Sequence, residues 1–306
     1  MAIEGACLCG AVRFALDAGR TGVPAFRWFA YCHCSMCRKQ HGALASVSVG
    51  IAAEALRWRA GAEEIARFSA AGLFERPFCR RCGSKVPAAT QVPGVLNVPA
   101  GTLAGDLGGA RPRAHIFAAS KSPLWTIGDA LPRYDEYPPG FTSPLPQSVA
   151  PPTVDADGDG AVRGGCLCGA VRYALDAPLE RLVHCHCERC RRSTGAACRT
   201  VALVPDAGLR FVRGAAAVQR CAVTEGERYE TRFCARCGSQ LPVPLGGSGA
   251  ALVPIGSVDT PLAARPLAHV NVGAKAPWHA IEDSLPRFAG PPPADALGAR
   301  LSAAGV

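Results

Sequence analysis

Aromatic residues, charges and long apolar runs are all scarce in this chain, and each shortage narrows what it can be. Phe, Trp and Tyr make up 7% of the 306 residues, with only 2 Met, so large side chains cannot supply most of a core. Charged residues reach 19% against 49% hydrophobic, which excludes a disordered polyelectrolyte and fits globular domains. No stretch approaches the roughly 18 consecutive apolar residues of a membrane-spanning helix. The opening MAIEGACLCGAVRF has no basic segment followed by a long apolar core, so a cytoplasmic location is expected.

Three residue types are plentiful instead: Gly (34), Pro (26) and Cys (16). The first two favour short strands and turns over long helices. In a chain without a secretory signal, so many thiols point to metal or catalysis rather than disulfides. The formal net charge of +9 suggests nucleic acid at first sight. Fourteen cysteines ionised on four Zn²⁺ would bring it to about +3, which is poor support for capture of a phosphate backbone.

The thiols repeat. GACLCGAVRFALDA (5–18) returns as GGCLCGAVRYALDA (164–177), CHCSMCRK as CHCERCRR, and RPFCRRCGSKVP (76–87) as TRFCARCGSQLP (231–242). The segments AHIFAASKSP and IGDALPRY also recur, as AHVNVGAKAP and IEDSLPRF. A period this long means tandem domains rather than a solenoid. The expected boundaries are 1–137 and 161–290, joined by a Pro/Gly/Asp-rich linker over 138–160 and followed by a disordered tail over 291–306. In the linker, Asp155, Asp157, Asp159 and Gly160 open like a calcium loop. Its twelfth position would be Cys166 rather than a bidentate Glu, so a solvated linker is the better reading.

Within each copy the pattern is mostly strand. Val12, Phe14 and Leu16 alternate with Ala11, Arg13 and Ala15, and Val171, Tyr173 and Leu175 repeat this. One short helix starts near Ser35. The reading is a mainly β protein of two small antiparallel domains.

Each copy has seven matched cysteines, an odd number that disulfides cannot fully pair. A Cys-x-Cys pair on a strand points both sulfurs to one face. A Cys-x-x-Cys-Gly turn converges its thiolates while Gly permits the backbone. Two such pairs make a four-thiolate zinc cage: Cys7, Cys9, Cys79 and Cys82, and in the second copy Cys166, Cys168, Cys234 and Cys237. That leaves two cups of three, Cys32, Cys34 and Cys37, then Cys185, Cys187 and Cys190. A closed structural site needs a fourth protein ligand, whereas a catalytic one keeps that corner open. His33 and His186 lie between ligands on an extended segment and should point away, which favours the open reading.

At these residues the chain resembles the glutathione-dependent formaldehyde-activating family, which includes centromere protein V-like domains. The resemblance covers almost everything outside the linker and tail. It implies a β-tent fold of small antiparallel sheets, structural zinc in the cages and catalytic zinc in the cups, up to four Zn²⁺ per chain. It also implies condensation of glutathione with formaldehyde to S-hydroxymethylglutathione, formally a carbon–sulfur lyase in reverse. In that case the substrate thiol, not a side chain, is the nucleophile. Arg38 and Lys39, with Arg191 and Arg192, are candidates for the glutathione carboxylates, and Lys121 and Lys275 for the pocket wall. The competing class is a zinc-stabilised tandem binding module without turnover; a nucleic-acid partner is disfavoured by the corrected charge and the lack of interleaved aromatics. His115 and His269 read as core or hydrogen-bonding residues, Asp129 and Asp283 as turn residues. Cys198 and Cys221 read as small buried apolar side chains. The tryptophans slip by one between copies, Trp125 against His279 and Leu124 against Trp278, so no shared aromatic role is assigned to them.

Overall fold

Each copy builds the same two main sheets. A computed structural model describes residues 2–17, 25–70, 74–141, 160–223 and 229–293. Most of the linker, including Asp155, Asp157 and Asp159, and the tail from 294 lie outside the described residues. In the first copy Ala2–Ala6 pairs antiparallel with Arg13–Asp17, which pairs with Leu56–Ala60. Its alternation is as the sequence requires: Val12, Phe14 and Leu16 are fully buried and Arg13 is exposed. Ala15 is buried as well, so the strand is covered on both faces at that point. Val162–Gly165, Arg172–Leu175 and Leu209–Arg213 repeat the sheet.

The second sheet has five strands in the order Ala88–Ala89, Val95–Pro99, Ser46–Ala52, Trp28–Cys32 and Ala114–Ile116. All neighbours are antiparallel except the last pair, where Ala114–Ile116 runs parallel to Trp28–Cys32. The corresponding strands in the other copy are Val243–Leu245, Ala250–Pro254, Arg199–Pro205, Leu182–Cys185 and Pro266–Val270. Two α-helices occur among the described residues, α1 (Ser35–His41) and α2 (Glu188–Thr194). Each leaves the end of a central strand and stops at a left-handed glycine, Gly42 or Gly195, the residue that turns there without a Cβ penalty. No helix is long and apolar enough to cross a membrane.

The copies are interleaved rather than strung apart. Trp278 is 1% exposed and packs with Phe29, Val49 and Leu103 in the core of the first copy. Leu124 belongs to the core of the second copy with Trp125 against it. Leu124 and Trp278 thus take matched places, each serving the opposite half. Tyr31 Oη lies 2.7 Å from His279 Nδ1 across the same boundary. Lys39 is buried and bonds Asp259 of the other copy, whose second oxygen is 2.9 Å from Arg172. Helix ends approach the opposite backbone so closely that glycine is required. A Cβ on Gly256 would meet Arg38 O at 2.4 Å, and one on Gly101 would meet Ala196 O at 2.3 Å.

Candidate functional site

The cages form where the first strand ends and a later hairpin turns. Cys7 and Cys9 follow Ala2–Ala6 in a tight turn, and Cys166 and Cys168 follow Val162–Gly165. The expected strand placement is therefore corrected to a loop. The reason is visible in the hydrogen bonds: the chain turns back so that Val12 N–H donates to Cys7 Sγ at 3.3 Å and Val171 N–H to Cys166 Sγ at 3.2 Å. Opposite sits the Cys79–Cys82 turn, closed by Gly83 N–H donating to Cys79 O at 2.8 Å with Gly83 at φ 74°.

The four sulfurs of each cage lie within 4.8 Å of one another. Cys7–Cys9 and Cys9–Cys79 are 3.6 and 3.9 Å apart, and Cys166–Cys168 and Cys168–Cys234 are 3.4 and 3.8 Å. A tetrahedron with Zn–S near 2.3 Å has edges of about 3.8 Å, so the donor set fits zinc. Hydrogen bonds among the crowded sulfurs push the Cys9 thiol down and the Cys79 thiol up. Cys198 is buried as expected. Cys221 is not. It is only half-buried and packs beside the first copy's cage, because its strand Val218–Ala222 crosses toward the other copy.

The cups form at the junction of central strand and helix. Cys32 is the last strand residue and Cys34 the N-cap of α1, its sulfur accepting from Cys37 N–H at 3.4 Å. Cys185, Cys187 and Cys190 repeat this at α2. The three sulfurs of each cup also lie within 4.8 Å, and no fourth Cys, His, Asp or Glu joins either group among the described residues.

His33 turns inward, away from the thiols, and is fully buried. Its Nε2 is 2.8 Å from His115 Nδ1, and His115 Nε2 is 3.0 Å from Asp129. His186, His269 and Asp283 form the same chain, at 2.8 and 2.9 Å. A carboxylate can only accept. His115 therefore donates from Nε2 and accepts at Nδ1 from His33. Burial, then His115, pushes His33 down to about 3, so it stays neutral. Asp129 and Asp283 also receive the backbone N–H of Leu131 and Leu285, which makes them turn residues and relay ends at once. Each chain anchors the segment between two cup ligands.

The two cups have different surroundings. In the first copy, Cys32, Cys34 and Cys37 border a cavity of about 350 Å³. The buried Arg76 guanidinium sits with both Nη atoms 3.8 Å from Cys37 Sγ and donates to Gln40 Oε1 at 3.1 Å. Lys85 and Arg113 line the same space, and burial takes Lys85 down to about 7. Phe117 closes on Cys34 and Met36. In the second copy, Asn271 replaces Phe117 and donates to Cys185 Sγ at 3.3 Å, while Tyr229 Oη is 3.9 Å from Cys190 Sγ. Arg199 stands where the first copy has Ser46; it is 1% exposed, with Nε and Nη2 unpartnered among the described residues.

None of the basic residues that spacing nominated is among those lining the first cavity. Lys39 is in the interface ion pair, and Arg38 donates to His33 O at 3.1 Å. Arg192 pairs with Glu188 one turn away, and Arg191 reaches Ala274 O at 3.4 Å. Lys121 donates to Trp125 O at 2.7 Å and Lys275 to His279 O, each tying down its own turn. The residues beside the cups that spacing did not reveal are Arg76, Phe117, Asn271 and Tyr229. Repeat matching hid them because Arg76 aligns with Thr231 and Phe117 with Asn271.

Fold and site together define a mainly β, duplicated thiolate protein whose cages and cups can hold metal ions. A family model described as glutathione-dependent formaldehyde-activating enzyme matches residues 2–120 and 161–274. The chain belongs to that family and carries its domain twice. A crystal structure of a Rhodobacter sphaeroides protein is 26% identical, covering 34% of this chain and 89% of that one, with a TM-score of 0.28.

Proposed function

We propose that the chain is a zinc-dependent enzyme of carbon–sulfur lyase type that joins a thiol to an aldehyde and runs the reverse cleavage. Glutathione and formaldehyde-type carbonyls are its substrate class. Cys32, Cys34 and Cys37, with Cys185, Cys187 and Cys190, would hold the reactive ions; the two four-cysteine cages would hold structural ones. A zinc ion held by these three thiolates would supply a cation able to lower the pKa of a substrate thiol. In the net reaction the S–H adds across C=O: a C–S bond forms, the carbonyl π bond breaks, and the proton ends on oxygen.

The protein's own groups do the rest. Arg76 sets a fixed positive charge beside Cys37, which offsets the anionic cup in a buried place. Arg113 is an exposed cation on the cavity lining, and we assign to it the carboxylate-binding role that spacing suggested for Arg38 and Lys39. Lys85 lines the same space, but its ammonium donates to Gly83 O and Gly238 O. The apolar walls exclude water and hold the two reactants together, which raises their effective concentration. One observation carries the reading: three sulfurs with no fourth protein ligand among the described residues open onto a cavity large enough for a small-molecule thiol.

Metal analysis of the purified chain should find four zinc ions, two of them lost selectively in a Cys34→Ser/Cys187→Ser double variant. That variant should also lose condensation of glutathione with aldehydes above the spontaneous rate. Unchanged turnover would overturn the proposal.

A further inference from the structure

The first copy's cavity carries more apolar wall than formaldehyde needs. Formaldehyde has two heavy atoms and glutathione is largely polar, yet one part of the cavity, which measures about 350 Å³, is walled by aromatic rings. Phe117 and Tyr137 meet edge to face at 4.9 Å between ring centroids, and Tyr137 and Phe141 follow at 4.5 Å. All three rings line the cavity, with Met36 and Val86 from other elements. Three touching rings are notable in a chain with 7% aromatics.

Phe117 is also held at a cost. Its φ is 56°, in the left-handed region, where a bulky residue is disfavoured. The matched Asn271 has the same φ of 56°, but Asn adopts it readily and donates to Cys185 Sγ. The backbone shape is therefore shared, while the large ring belongs to one copy alone. Strained residues of this kind cluster where ligands are gripped. Basic groups sit beside the thiols (Arg76) and elsewhere on the lining (Lys85 and Arg113).

We infer that the first cup acts on adducts of glutathione-like thiols with larger apolar aldehydes, aromatic or branched, whose hydrocarbon part packs against Phe117, Tyr137 and Phe141. This deepens the proposed function and rests on it. The chemistry is unchanged: S–H adds to the carbonyl, the C–S bond forms and the proton passes to oxygen, with no redox partner.

Two measurements on the zinc-loaded full chain test it. The first is calorimetric binding of two unreactive thioethers, S-benzylglutathione and S-methylglutathione. The benzyl compound should bind at least about tenfold more tightly, as burying one ring in an apolar site allows. Tyr137→Ala/Phe141→Ala, at half-buried positions on the rim, should reduce that preference to about twofold, and Phe117→Asn should do the same from inside. The second is turnover of benzaldehyde against formaldehyde with glutathione, corrected for spontaneous addition, where kcat/KM should favour benzaldehyde. Equal binding of the two thioethers, or a preference untouched by both variants, overturns the inference. Turnover that favours formaldehyde also overturns it but leaves the proposed function standing. A benzyl preference with no turnover of any aldehyde supports the ligand class and overturns the reaction.

Discussion

The two cups carry the same three thiols on the same strand-to-helix junction, and almost everything above them differs. Over the first stand Arg76 and a strained Phe117 at the edge of a cavity; over the second stand Asn271, Tyr229 and the buried Arg199. The relay behind each cup is retained to within 0.1 Å at both links (2.8 and 3.0 Å against 2.8 and 2.9 Å). The part that shapes the thiolate cup is thus duplicated, and the part that borders it has diverged. Positive charge is placed differently: Arg76 bonds Cys37 in one half, while in the other the buried Arg199 is paired opposite Cys185 on the neighbouring strand. A buried thiolate cluster needs such a countercharge.

The sharpest way to break this comparison is to remove one cup at a time. Cys34→Ser should lower kcat/KM for thiol–aldehyde condensation by about a hundredfold or more, and Cys187→Ser by far less, since the first cup has the roomy cavity. Steady-state kinetics with equal loss in both would make the cups equivalent. In stability the largest loss is expected from Cys82→Ser, which should strip the first cage and destabilise the whole chain. A structural zinc contributes on the order of 10 kcal/mol of apparent binding energy, and a thermal melt with metal analysis reads the loss.

Asp259→Ala strands Lys39 and Arg172 in the interface, and chemical denaturation should show a loss of about 3 kcal/mol. Per pH unit, a smaller effect is expected from histidine burial. Burial takes His279 down to about 3, below its value in the unfolded chain. The unfolded state therefore binds more protons between roughly pH 6.5 and 3, and stability should fall as pH drops through that window, by up to about 1.4 kcal/mol per unit for this group. His279→Phe should flatten its share of that slope in denaturation at stepped pH. The smallest change is Asn271→Ala, which loses a side chain suited to positive φ and a bond to Cys185; about 1 kcal/mol is expected by the same assay.

Spacing alone was enough to group the fourteen thiols into the clusters the structure brings together, because ligands must converge and short motifs fix that locally. The alternation at Val12, Phe14 and Leu16 was equally readable. The turn at Cys7-x-Cys9 was not, since a strand and a tight turn both bring i and i+2 to one side. Arg76 and Phe117 escaped for another reason. Their importance comes from packing between distant segments, and comparing the repeats masks any residue that differs between copies. The Leu124 and Trp278 exchange was invisible too, because a sequence repeat records what matches and not which half receives the side chain.

That crossing of Trp278 and Leu124 has a practical consequence for anyone dividing the gene. Cutting at the linker would leave each fragment with a hole where its sister's residue belonged, so separately expressed halves should be poorly soluble until mixed. What looks like two beads on a string is one indivisible body.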